Sequence, residues 1–104
     1  MDIQINFFKV DITIVLRDTY FKERGLKSES HKIVPYQIAQ SHPFIEQDEH
    51  ILLECIFLVL NDSAHARFDE SWKERNLTVG DIIIFPNGHM WECQDCGWGM
   101  IDKW

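Results

Sequence analysis

The chain has 104 residues and a formal charge of −7, from 17 acidic against 10 basic side chains. That length makes a single domain, residues 1–104, with one core that needs no staples, and a hydrophobic content of 45% excludes a disordered chain. The acid excess disfavours direct nucleic-acid binding, since the phosphate backbone demands a basic surface. No apolar run nears the ~20 residues that cross a bilayer, so no membrane partner is expected.

The first residues, MDIQINFFKV, carry Asp2 where a secretory signal would be basic, and lack a small-residue cleavage site. A cytoplasmic setting is the expectation. Ile3, Ile5 and Phe7 alternate with polar residues, and Phe8, Val10, Ile12, Ile14 and Leu16 alternate on the opposite parity. Both runs have period two and predict strand, with a bulge or a tight join at Phe7-Phe8. Residues 17–32 are polar and charged and read as a loop or a long hairpin tip. Ile33 to Ala39 reads as a short strand broken by Pro35, and Ser41-His42-Pro43 as a turn or an entry to a helix.

Asp48 to Leu60 is the predicted helix. Asp48 suits the N-cap and Glu49 the first turn. Ile51, Leu52, Cys55, Ile56, Leu58 and Val59 recur at helical spacing, and Asn61-Asp62-Ser63 stops the run. The stretch CIFLVL is apolar nearly all round, which predicts a deeply packed helix or, alternatively, a buried strand. Residues 62–76 form a polar connection anchored by Phe68 and Trp72.

The last quarter is LTVGDIIIFPNGHMWECQDCGWGMI, Leu77 to Ile101. Asn87-Gly88 between apolar runs predicts a β-hairpin with a two-residue loop. In that register Ile84 faces Trp91 and Ile82 faces Cys93, so Ile82, Ile84, Trp91 and Cys93 share a core face. Ile83, Phe85, Met90 and Glu92 take the other. The predicted core is Ile12, Ile14, Leu52, Ile56, Val59, Ile82, Ile84 and Trp91.

The same stretch raises the question of a metal. His89 and Cys93 stand four apart on a strand, roughly 13 Å. Zinc bonds run to only about 2.0–2.3 Å, so the two cannot share an ion and His89 is expected to face solvent beside the turn. Cys93-Gln-Asp-Cys96-Gly97 has the form of one zinc knuckle, which supplies two ligands where a structural site takes four. Cys55, the remaining cysteine, belongs to the helix. The expectation is reduced cysteines, with no metal and no cofactor; a four-cysteine site would require a homodimer.

Leu77-Thr-Val-Gly-Asp81, the Asn87-Gly88 turn, Trp91 and Gly97-Trp98 to Ile101 carry a resemblance. They are similar to the C-terminal signature of small proteins of bacterial mobile elements and phages. That signature reads S-V-G-D, three apolar residues, a glycine turn, an aromatic, then G-[FW] and an apolar end. The likeness reaches weakly back to Cys55–Asn61 and covers about the last half of the chain. It implies a phage or plasmid setting and a structural role for the signature: Gly80 and Asp81 start a hairpin, and Gly97 turns it into a third strand. The cysteine pair departs from the pattern.

No G-x-S-x-G, Gly-rich phosphate loop or H-E-x-x-H occurs, and His31, His42, His50, His65 and His89 are scattered. Glu46, Asp48 and His50 near the helix start read as a solvated helix N-terminus, where carboxylates are favoured by the dipole. The expectation is therefore a binding protein and no enzyme. Between Lys32 and Arg67 the sequence holds no Lys or Arg, but it holds Glu46, Asp48, Glu49, Glu54 and Asp62. The expected acidic binding face comprises Glu46, Asp48, Glu49, Asp62, Asp69 and Glu70, and its expected partner is a basic host protein such as a nucleic-acid-binding defence effector. In the phage setting that describes an anti-defence inhibitor of the anti-CRISPR kind. The alternatives are an accessory domain binding another phage or plasmid protein through Trp98 and Trp104, or a zinc-knuckle dimer. The expected fold is α+β: a small antiparallel sheet, one packed helix and a C-terminal three-stranded meander.

Overall fold

A computed structural model describes residues 8–17, 31–61 and 68–104. The expected strand at Ile3–Phe7, most of the polar segment after Arg17, Asp62 and the start of the connection after it lie outside the described residues. The fold is α+β. Five strands form one antiparallel sheet: β1 (Phe8–Arg17), β2 (His31–Gln40), β3 (Ile82–Ile84), β4 (Met90–Gln94) and β5 (Gly97–Ile101). Their order across the sheet is β2-β1-β3-β4-β5, so the last three make the meander. One helix, α1 (Glu49–Val59), stands between β2 and β3 in sequence, preceded by a 3₁₀ turn at Glu46–Asp48. No helix among the described residues is long and apolar enough to cross a membrane.

β1 lies inside the sheet, between β2 and β3, and one of its faces is a continuous apolar row. Val10, Ile12, Ile14 and Leu16 all point to one face, and all four are buried. Ile14 pairs with Val34 of β2 on one side and Ile83 of β3 on the other. β2 runs through Pro35 without interruption, and Pro35 lies opposite Thr13. The expected break is absent because β2 is an edge strand, where a missing N–H need not cost a ladder bond.

The β3–β4 hairpin corrects the expected register. Ile84 pairs with Met90, Ile83 with Trp91 and Ile82 with Glu92. The amide of Phe85 donates to the His89 carbonyl and that of Gly88 to the Phe85 carbonyl. The loop is therefore three residues, Pro86-Asn87-Gly88, with Pro86 at the second turn position and Gly88 at φ +90. This is the type I turn closed by a left-handed residue, and proline favours it by presetting φ. One extra loop residue moves one strand by one position and exchanges its faces. Ile83 and Phe85 thus join Trp91 and Cys93 on the helix side, and Ile82 and Ile84 face away. Ile82 is buried there, whereas Ile84 and Val59 are only partly buried.

The core lies between this face and α1. Leu52, Leu53, Ile56 and Leu60 cluster with Val10, Ile12, Ile14, Leu16, Ile83, Phe85 and Trp91. Positions i, i+1, i+4 and i+8 fall on one arc of a helix, and each such side chain contributes about 1.5–3 kcal/mol relative to exposure. Phe44 stacks on Phe85 at 5.5 Å, closing the end near the hairpin loop.

A buried carboxylate fixes the other end. Asp81 accepts from both terminal nitrogens of Arg75 at 2.7 Å, and from the amides of Arg17 at 3.0 Å and Thr78 at 2.9 Å. Gly80, at φ +96, makes the turn that aims it. The Val-Gly-Asp signature thus ties the end of β1 to the start of β3.

Candidate functional site

The start of α1 gathers the carboxylates. Asp48 occupies the N-cap position but makes no side-chain cap bond to the helix. Its carboxylate turns back instead, accepting from the Ile45 amide at 3.2 Å and meeting His42 Nε2 at 3.0 Å. Gln40 donates to it from 3.4 Å. Desolvation pushes the Asp48 pKa up, but the His42 hydrogen bond, the Ile45 amide, the His42 charge and Gln40 outweigh it and hold the group below the usual carboxylate value.

Glu49 is more enclosed, at 2% exposure. The buried Trp91 Nε1 donates to its Oε1 at 3.1 Å. His89 Nδ1 lies 2.9 Å and 3.0 Å from its two oxygens. Glu46, 74% exposed in its side chain, stands 4.0 Å from the same nitrogen. His50 packs edge-on against Trp91 at 4.7 Å. The solvated helix N-terminus is therefore corrected in part: Glu46 and His50 are exposed, whereas Asp48, and Glu49 beside it, are buried and internally bonded.

His89 is also corrected, being one-third exposed and directed at the helix rather than at solvent. The available signal was parity, because His89 shares the face of Trp91 and Cys93. A residue beside a turn still projects over whatever its strand face covers.

The remaining expected binding residues are dispersed. Asp69 accepts from Tyr36 Oη at 2.5 Å and from Ser71. Those bonds hold Asp69 below the usual carboxylate range, Ser71 contributing most. Burial, then the bond to Asp69 and its charge, push Tyr36 well above the ordinary phenol value. The pair lines an open cavity with Asp11, Ile12, Thr13, Pro35, Gln37 and Ser71. Glu70 is exposed. Trp98 is half-buried against the core. Trp104 is 45% exposed, with its ring edge-on to His31 at 4.8 Å.

The cysteines diverge. Cys93 is buried and Cys96 exposed. Burial, followed by the charges of Asp81, Asp95 and Glu92, raises the Cys93 pKa and keeps the thiol protonated. Among the described residues, the three-ligand group that could hold a metal contains neither cysteine.

The outer face of α1 mixes apolar and polar side chains. His50, Ile51, Glu54 and Phe57 are exposed, and Cys55 and Leu58 half-buried. Most single-sided helices present charge there. Comparison with family models, curated proteins and solved structures finds no match.

Proposed function

We propose that this chain acts by binding a protein, docking the outer face of α1 and its flanking carboxylates onto a basic surface. In the phage or mobile-element setting suggested by the Leu77–Ile101 resemblance, the partner is a host nucleic-acid-binding defence effector. The chain is then an anti-defence inhibitor that occupies the nucleic-acid site, working in the cytoplasm and as no enzyme. The observation that carries the reading is Ile51, 65% exposed on a helix whose opposite face is core. Phe57 and Ile45 are exposed nearby in sequence, with Glu46 and Glu54 among them. An exposed apolar surface rimmed by charge is the form of an interaction site. Acid in that rim selects a basic partner through complementary potential.

The test is capture from host lysate with the parent chain, Ile51→Asp, and Glu46→Lys combined with Glu54→Lys. The expected partner is basic, is retained by the parent, is lost with Ile51→Asp, and has its nucleic-acid binding competed by the parent. A partner that binds all three chains equally would overturn the reading.

One observation favours a second reading. Among the described residues β5 is an edge strand carrying exposed Met100, with exposed Trp104 just beyond it. An uncovered edge accepts another strand. An accessory domain binding another phage or plasmid protein would use Trp98 and Trp104 there, and Trp104→Ala would abolish capture while Ile51→Asp would not.

A further inference from the structure

Glu46, Glu49 and His89 reach one point from three places in the fold: the 3₁₀ turn, the first residue of α1, and the end of the β3–β4 loop. One ligand atom from each lies within 4.8 Å of the others. We propose that they form a binding site for a zinc-type divalent cation, with three protein ligands and an open position for water.

The donor set suits that ion. One imidazole nitrogen and two carboxylates match zinc, whose bonds to such atoms are about 2.0–2.2 Å. Calcium and magnesium instead take six or more oxygens, and an imidazole is a poor substitute. Bonds of about 2.1 Å at tetrahedral angles put ligand atoms roughly 3.4 Å apart. His89 Nδ1 and the Glu49 oxygens, at 2.9 Å and 3.0 Å, need open by only a few tenths of an ångström. Glu46 Oε1, at 4.0 Å from the same nitrogen, must move in, and its exposed side chain is unconstrained by packing.

The surroundings of Glu49 are those of a ligand rather than of a surface acid. Trp91 Nε1 donates to Oε1, fixing the carboxylate plane and leaving Oε2 for an ion. Trp91 is in turn buried and packed by the His50 ring. A carboxylate desolvated to this degree requires compensating charge. A cation held between Glu49, Glu46 and His89 supplies it more fully than one imidazole. Three protein ligands define an exchangeable site of the open kind, whereas a closed structural site takes four.

The experiment is calorimetric titration of ZnCl₂ into the untagged full chain, with Co²⁺ absorption as the spectroscopic readout. The expected result is one ion per chain, a visible Co²⁺ spectrum without a thiolate charge-transfer band, and a change in Trp91 fluorescence on zinc addition. Glu46→Gln should weaken zinc binding at least 10-fold, since loss of even an outer-shell partner has an effect of roughly 10–100-fold. Trp91→Phe should weaken it within that same range. His89→Gln should abolish binding, and Cys96→Ser should leave it unchanged. Should His89→Gln fail to fold, Glu46→Gln carries the test, because its side chain is solvent-exposed. Unchanged affinity in Glu46→Gln, loss of binding in Cys96→Ser, or a parent dissociation constant weaker than about 1 mM would each overturn the proposal.

Discussion

Replacing Asp81 with alanine should remove the strongest single polar tie in the fold. The residue is fully buried, and its carboxylate accepts four hydrogen bonds, one from the remote Arg17 amide and three from the nearby Arg75 and Thr78. Truncation strands the Arg17 and Thr78 amides, each of which loses about 1–3 kcal/mol if water does not reach it. The Arg75 guanidinium is 42% exposed and can turn to solvent, so its share of the loss is smaller. The expected destabilisation is about 3–5 kcal/mol, the range for breaking a buried pair. A domain of this length has roughly 5–15 kcal/mol in total. Arg75→Ala should act on the same scale from the other side, by leaving a buried carboxylate with only the two amides. Arg75→Lys should not rescue, because an ammonium cannot reproduce the two-nitrogen fork. The double variant should fall well short of the summed single effects, since both remove one network. Urea denaturation followed by circular dichroism and tryptophan fluorescence measures all three. An Asp81→Ala midpoint shift worth under about 1 kcal/mol at unchanged m would refute the reasoning.

Trp91→Phe should lower stability by about 1–3 kcal/mol, because it deprives the buried Glu49 of a donor while keeping an aromatic ring in place; the urea midpoint reads this. Gly88→Ala should destabilise by about 1–2 kcal/mol through backbone strain alone, since φ is +90 and no atom lies within 4 Å of the added methyl; a Gly88→Asn chain should recover part of the loss. Asp48 and Asp69 both have folded pKa values below their unfolded ones. The unfolded chain therefore binds more protons between the two values, and stability should fall with pH from about 4 downward as these groups protonate. His42→Ala should shrink the Asp48 part of that acid loss, read from melting temperatures between neutral pH and pH 3. A thiol reagent should label Cys96 quickly and Cys93 only on unfolding, because one is exposed and the other buried with a raised pKa.

Period-two alternation located β1 because Val10, Ile12, Ile14 and Leu16 obey it, with Val15 alone buried on the other face, and the helix followed from apolar spacing between Asp48 and Asn61. Pattern alone did not settle the hairpin. Asn87-Gly88 fits a two-residue loop or the end of a three-residue one, and Pro86 decides between them by occupying the second turn position. That single residue changes which isoleucines meet the helix. The site was hidden for a related reason. Asp48 and Glu49 sit where helix starts ordinarily carry solvated acid, and local sequence cannot show that β4 passes beside them. Asp81 was legible as a turn residue but not as the acceptor for the Arg17 amide, because that bond forms only once β1 and β3 are aligned.

The acid that a partner would meet is less than the net charge suggests. Asp48, Glu49, Asp69 and Asp81 are tied to His42, to His89 and Trp91, to Tyr36 and Ser71, and to Arg75. Glu74 and Glu92 pair with Lys32 and Arg17. Glu54 on α1 and Glu46 on the 3₁₀ turn before it remain exposed. An extended phosphate mimic made of these acids would be poor, because their oxygens are already turned inward to donors within the chain. Binding strength at this face should therefore come from Ile51, with Glu46 and Glu54 steering the encounter. Reversing both charges should slow association several-fold at low salt and matter less as salt screens over about 8–10 Å. Folding should survive the reversal, as exposed charges contribute only about 0–1 kcal/mol. Ile51→Asp should instead raise the dissociation rate and hold its effect at every salt concentration, because a desolvated apolar anchor is not screened. Surface plasmon resonance across a salt series separates the two. An affinity that collapses with salt in the parent and is indifferent to Ile51→Asp would restore the wholly electrostatic face and remove the helix from the interface.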